Sequence, residues 1–330
     1  MKNRLGRIPT MHDFIKQNSL DPEVIIGYSN NYYDFLLKMK EEIPALTDYE
    51  LAVITMLSKE ILNGKRIHEV LLVEALLKND SISKIDFIAS LKEFGTYYDD
   101  ETIKSVENMF SLNFHITNDR KKYGLKPVIE LIDEQYQFND ELKTSLNDIF
   151  YKAYFTDIVS CANIKNQQYD PKRPLTLYKK YSRRDACRLL NWAKEDSSTI
   201  YGYRVKHGTC PIFVTYHKKD EVDSSVNYGD EFLSADVFRW FSRSKLTLES
   251  NEVKAILAAE QTGLDIHLFT KKDDGEGFDF YYMGTTSIAE NSPREEEMFD
   301  KNGKKIPVVT MNMVLEQPVQ YDIYHYLVEE

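Results

Sequence analysis

The sequence predicts an α+β protein: an N-terminal all-helical domain followed by a small curved β-barrel with flanking helices. Three observations predict it. Residues 1–162 carry helix caps and apolar residues at helical spacing. Residues 163–177, "NIKNQQYDPKRPLTL", are polar, aperiodic and hold two prolines, which marks a linker. Residues 178–330 change to short aromatic and β-branched runs separated by turn residues. A chain of 330 residues has room for two cores.

In the first domain, "TDYELAVITMLSKEILN" opens with Thr47 and places Glu50 three residues on, a capping-box pattern. Leu51, Ile54, Leu57, Ile61 and Leu62 then recur near helical spacing. "SKIDFIASLKEF" repeats the pattern with Ile85, Phe87, Ile88, Leu91 and Phe94. "VENMFSLNFHITNDRKKYG" reads as a helix running into a short strand and a turn, the shape of the wing of a winged helix. "KPVIELIDEQYQFNDELKTSLNDIFYKAYFTDIV" reads as a long helical region broken near Phe138.

After the linker comes a short helix, "RRDACRLLNW", and then strands. "IYGYRV" and "CPIFVTYH" flank a hairpin-like break, and "FRWFSRS" is the third strand. "NEVKAILAAEQTG" is a helix ended by Gly263. "DIHLFTKK" and "FDFYYMGTTSI" flank the turn-rich "DDGEG", and "IPVVTMNMVL" follows. The final "YDIYHYLVEE" fits helix or strand equally. About six short strands in such a span favour a curved or closed sheet.

Bulk properties exclude some classes. Hydrophobic residues are 42% and charged residues 29%, ordinary for a globular protein. No run of eighteen apolar residues spans a membrane, and "MKNRLGRIPTMHDFIKQNS" is not a secretory signal. Three cysteines without CxxC spacing fit reduced thiols in a cytoplasm. The net charge of -11 argues against a uniformly basic coat, but its distribution is uneven. It is -7 over residues 1–150, +5 over 151–250 and -9 over 251–330. Lys172 to Lys194 holds eight basic residues against one acid, Asp185. Phosphate binding depends on such local potential, although a run of this kind is more often a solvated face.

No catalytic machinery is visible. The phosphate-loop, GxSxG, HExxH and zinc-deaminase patterns are all missing. His207, Cys210 and His217 lie close together but read better as strand and turn residues than as metal ligands. His217 and Lys219 begin a phospholipase-D-type HxK motif whose aspartate is missing at position 224, where Ser224 stands.

The aromatic strands are the stronger signal. In "DVFRWFSRSKL" strand alternation puts Phe238, Trp240, Ser242 and Ser244 on one face and Arg239, Phe241, Arg243 and Lys245 on the other. Most aromatics of this half must be core. Some are positioned to line a cavity that grips a flat base, at about 1–3 kcal/mol per stacked base. Tyr203, Tyr228, Trp240 and Tyr282 are the candidate rings, with Asp230 and Ser242 as polar edge groups. A carboxylate accepts from the exocyclic amine of cytosine, although an Asp beside a turn more often caps it. Lys179, Lys180, Arg183, Arg184, Arg239 and Arg243 are the candidate phosphate contacts.

Together "YSRRDACRLLNW", "STIYGYRV", "GTCPIFVTYHK", "NYGDEF", "FRWFSRSKLTLES" and "DIHLFTKKDDGEGFDFYYMG" resemble the C-terminal part of SauUSI-like type IV, modification-dependent restriction endonucleases. "KNRLGRIPTMHDFI" resembles the segment after the second helicase lobe of such enzymes. The resemblance implies a helical coupling domain at 1–162 and a domain at 178–330 similar to the SRA (SET- and RING-associated, PUA-like) readers of modified bases. It implies double-stranded DNA containing 5-methylcytosine as partner, with the modified base flipped into an aromatic pocket. The nuclease and the ATP-driven helicase, with its ATP and magnesium, would lie in parts of the parent enzyme outside these residues, and no cofactor is expected in them. A homodimer is compatible with it. The alternatives are a helicase-associated scaffold or dimerisation module that binds DNA without modification specificity, and a nuclease with an unrecognised site.

Overall fold

The structure is a computed structural model that describes residues 2–17, 21–217, 229–299 and 303–329. It divides into two compact units, Met1–Pro174 with Asn191–Glu195, and Leu175–Leu190 with Asp196–Glu330.

The first unit is built around the helix Ile149–Asn166, whose N-terminus is capped by Asp148 accepting from the backbone N–H groups of Phe150 and Tyr151. This helix continues past residue 162, so the expected linker begins inside it. Helices Met11–Lys16, Asp48–Leu57 and Ile67–Lys78 pack against it, and its Asp157 accepts from the Met11 and His12 N–H groups at 2.8 and 3.1 Å. The capping box is present. Thr47 accepts from the Glu50 N–H at 3.2 Å, and the Glu50 carboxylate accepts from the Thr47 N–H at 2.8 Å. In the helix Lys84–Phe94, Phe87 and Leu91 are buried, while Ile85 is exposed.

Residues 129–138 correct the sequence reading. They form a hairpin, β2 (Ile129–Ile132) and β3 (Gln135–Phe138), rather than a helix. Its turn residues Asp133 and Glu134 both take positive φ, as a two-residue I′ turn requires. The short β1 (Ile82–Ser83) pairs with β3, giving the order β1-β3-β2. Helices Ile67–Lys78, Lys84–Phe94 and Asp100–Phe110 precede the hairpin. This is the order of a winged helix, with the wing at 129–138 instead of 106–124. Asp133 and Glu134 make its tip acidic.

The second unit is one eight-stranded sheet with helices. Its strands are β4 (Lys180–Tyr181), β5 (Thr209–Thr215), β6 (Glu231–Ser234), β7 (Val237–Phe241), β8 (Asp265–Lys271), β9 (Phe280–Ile288), β10 (Arg294–Phe299) and β11 (Lys305–Leu315). The main path is β5-β8-β9-β11-β7-β6; β10 pairs with β11, and β4 with β9. Among the described residues only β5 and β8 pair in parallel. "IYGYRV" is no full strand but touches the β5 edge through a bridge between Tyr203 and Ile212. The C-terminal Tyr321–Val328 is a helix.

The barrel expected from the strand count does not close. Among the described residues no ladder joins β5 to β6, the two ends of the path. The ring of Tyr216, just beyond β5, stacks instead on that of Phe232 in β6, with centroids 6.1 Å apart. The long β11 spends its edges on β10, β7 and β9. β9 divides one edge between β4 and β11, with Gly284 between the two pairings at φ 116°. No helix of the described residues is long and apolar enough to cross a membrane.

Candidate nucleic-acid interface

A cavity of about 350 Å³ lies at the open seam of the sheet. Phe213, Val214 and Thr215 of β5 line one side, and Trp240 and Phe241 of β7 the other. Asp230, Arg243 and Ser244 complete that side, and Tyr201, Gly202 and Tyr203 close the remainder. The cavity thus opens between β5 and β7, with Asp230, the residue before β6, at its side.

The segment 201–203 is shaped by its glycine. Gly202 sits at φ 79°, a conformation L-residues rarely take. Its carbonyl accepts from the Phe213 N–H at 2.7 Å, which docks the segment on the β5 edge. The kink sends its neighbours in opposite senses: Tyr203 is 2% exposed and Tyr201 72%.

The floor is rigid. Tyr203 and Trp240 meet edge to face with centroids 4.8 Å apart. The Arg243 guanidinium lies 4.8 Å from the Tyr203 ring centroid and pairs with Glu252. The Tyr203 hydroxyl donates to the same carboxylate at 3.2 Å. Burial, with Glu252 adding to it, raises the Tyr203 pKa, so the phenol keeps its proton. One oxygen of Asp230 accepts from the Phe241 N–H at 3.0 Å, which ties this acid to the end of β7.

The alternation read in "DVFRWFSRSKL" is present, with Phe238, Trp240 and Ser242 buried and Arg239 and Phe241 half-buried. Of the six candidate pocket residues, Tyr203, Asp230 and Trp240 come together at the cavity. Trp240, 2% exposed, belongs to its floor rather than to an open wall. Ser242 is not at the cavity. Its hydroxyl accepts from the Val309 N–H at 3.0 Å and donates to the Arg243 carbonyl at 3.1 Å, extending the pairing with β11. Tyr282 lies in a different layer, against Phe269 and Tyr181, with its hydroxyl 3.1 Å from His267 Nδ1. Tyr228 lies outside the described residues. Sequence reasoning passed over Tyr201, Phe213 and Phe241; the glycine after Tyr201 was the available signal.

The candidate phosphate contacts are largely engaged. Lys180 pairs with Glu276 at 2.6 Å, Arg239 with Glu231 and Arg243 with Glu252. Arg183 is flanked by the rings of Phe213 and Phe280 at 5.2 and 5.0 Å, and burial lowers its pKa. Arg184 and Lys179 are half-buried. Counting charges along the chain missed this, because the neutralising acids come from distant strands and loops. His217 Nε2 lies 3.0 Å from the Leu327 carbonyl and Cys210 is fully buried. No group of three or more His, Cys, Asp or Glu among the described residues is placed to hold a metal.

Residues 1–171 match the family model described as Domain of unknown function (DUF8090). The chain belongs to that family. Residues 175–327 match a second model, Domain of unknown function (DUF3427), so the two matches meet where the two units do. No curated protein matches the chain. Among solved structures it is similar to the DNA modification-dependent restriction endonuclease AspBHI, at 10% identity and TM-score 0.31, over 44% of this chain and 77% of that one. It is also similar to the sulfur binding domain and SRA domain of ScoMcrA complexed with phosphorothioated DNA, at 9% identity and TM-score 0.28, over 80% of this chain and 90% of that one. The type IV phosphorothioation-dependent restriction endonuclease ScoMcrA itself matches at 10% identity and TM-score 0.28, over 94% of this chain and 65% of that one. Likenesses this slight carry no argument about the site.

Proposed function

We propose that the chain is the DNA-recognition part of an ATP-dependent type IV restriction enzyme. Its C-terminal unit binds duplex DNA and receives a flipped 5-methylcytosine in the seam cavity. The observation that carries the reading is the seam itself, about 350 Å³ framed by five aromatic residues with a carboxylate at its side. Rings offer faces to a base of any sequence, and Asp230 offers an acceptor to an exocyclic amine. Tyr201 is the exposed ring and the stacking partner; Trp240 and Tyr203 set the depth.

In this reading the chain has no catalysis and no cofactor of its own. ATP, magnesium and strand cleavage belong to helicase and nuclease parts of the parent enzyme, which works in the cytoplasm. Discrimination rests on fit. One buried methyl group contributes about 0.8 kcal/mol, only a few-fold in affinity, so a larger preference comes from a close-walled cavity and the cost of flipping.

The test is a titration of the full chain with matched duplexes, with and without 5-methylcytosine, at two salt concentrations. Tighter binding of the methylated duplex supports the reading. Equal affinity for both would assign the chain to a scaffold that binds DNA by shape, and metal-dependent cleavage by the chain alone would make it a nuclease. Tyr201→Ala is expected to weaken binding of the methylated duplex by about 1–3 kcal/mol, one lost base stack, with an unchanged melting temperature.

A further inference from the structure

The basic side chains of the C-terminal unit are not equivalent. Lys180, Arg239 and Arg243 each have a carboxylate partner. The Arg183 guanidinium has none: among the described residues no hydrogen bond or ion pair joins it to another group. It lies instead between two rings, 5.2 Å from the Phe213 centroid and 5.0 Å from that of Phe280. The rings are themselves fixed. Phe213 stacks on Phe269 with centroids 4.6 Å apart and meets Phe280 edge to face at 5.1 Å.

The charges around it do not balance. Lys271 faces the same Phe280 ring, 4.9 Å from its centroid. Asp274 is the acid whose charge reaches Arg183, and it already pairs with Lys271 at 2.9 Å. Glu276, in the same loop, pairs with Lys180. One carboxylate thus serves two cations, and one positive charge is left over. Burial disfavours the charge on Arg183 and Asp274 offsets only part of that, yet a guanidinium keeps its proton. Its Nε is buried without an acceptor, while the half-buried side chain leaves its two terminal nitrogens at the surface.

A cation drawn partly out of water calls for an anion. The two rings attract it through their faces, but they offer no acceptors to its N–H donors. The planar fork of a guanidinium matches two oxygens of a phosphate at once, which an ammonium cannot do. Here the rings hold the fork in place before any ligand arrives, so little freedom is lost on binding. Phe213, which carries Arg183, also lines the seam cavity. We propose that Arg183 is the anchoring phosphate contact of the C-terminal unit, gripping a backbone phosphodiester beside the nucleotide whose base enters the cavity. The inference rests on the reading of this unit as a DNA binder. Lys180, Arg239 and Arg243 spend their charge on internal partners and contribute less to binding.

The experiment is a titration of the full chain with methylated and unmethylated duplexes between about 50 and 200 mM salt. Arg183→Gln, checked for folding by its melting temperature, is expected to weaken binding of both duplexes by about tenfold. It is also expected to flatten the slope of log affinity against log salt by about 0.9, the share of one phosphate. Arg183→Lys keeps the charge and is expected to restore the slope but not the whole affinity, because the fork is lost. Arg239→Gln removes a cation already paired with Glu231 and is expected to change the slope less. On the unaltered chain, one neutral methylphosphonate linkage on at least one side of the 5-methylcytosine is expected to weaken binding by about tenfold. That measurement decides the matter if Arg183→Gln does not fold. An unchanged slope in folded Arg183→Gln, an equal change in Arg239→Gln, or no effect of a methylphosphonate on either side would each overturn the proposal. No DNA binding by the unaltered chain would overturn the proposed function along with it, which keeps the two failures distinct.

Discussion

Each unit holds a cavity, and the two differ in what makes them. The one in the C-terminal unit exists because a sheet fails to close, and its walls are the rings that would otherwise be core. The one in the N-terminal unit lies between two helix ends and the segments 94–97 and 167–174, with Lys65, Arg66, Asn163, Asp170 and Arg173 among its polar lining. The first is walled mainly by rings; the second mixes rings and prolines with charged and amide side chains.

The largest expected effect separates the two ion pairs that flank these cavities. Arg66 and Glu69 have side chains only 1% and 0% exposed, so Glu69→Gln should cost about 3–5 kcal/mol in denaturant unfolding by leaving a buried cation unpaired. The half-exposed Arg243–Glu252 pair should lose less than about 1 kcal/mol when Glu252→Gln is measured the same way. Similar losses at both sites would break the contrast.

Trp240→Ala should cost about 3–5 kcal/mol, because the ring is floor and core together. A fully stable variant would place the ring in the mouth instead.

Acidification tests the two units through one buried histidine each. Burial lowers both His68 and His267 to a pKa of about 4. The unfolded chain takes up protons below about pH 6.5 while the folded chain does not, so stability falls from there to about pH 4. The loss is up to about 3 kcal/mol per residue, read as a falling urea midpoint. A flat midpoint across that window would mean that these rings are not desolvated.

The smallest effect is local. Gly202→Ala should cost about 1–2 kcal/mol through its positive φ, since an added Cβ meets nothing within 4 Å. It should also weaken DNA binding by moving Tyr201. An unchanged melting temperature would show that the kink is not required.

Some of this was legible in the sequence. The Thr47–Glu50 box and the alternation through Trp240 are local patterns, set by residues a few positions apart, and both are present. The hairpin at 129–138 was hidden because its turn uses Asp133 and Glu134, without the glycine that normally announces positive φ. β10 was hidden because three consecutive glutamates are poor strand formers; they are tolerated at its edge against the long β11. The cavity was legible only in part. Aromatic content pointed to the right strands, but which rings face a hollow depends on where the sheet stops, and that is settled by pairings far apart in sequence. The same distance effect concealed Glu231, Glu252 and Glu276, which neutralise arginines and a lysine that look free along the chain.

Among the described residues no strand pairing joins the two ends of the sheet. Across the gap, the rings of Tyr216 and Phe232 stack with their centroids 6.1 Å apart. Those contacts slide at less cost than a row of paired strand amides breaks. In the proposed reading, that edge is where a base carrying a group bulkier than methyl is expected to find room, without any rebuilding of the fold.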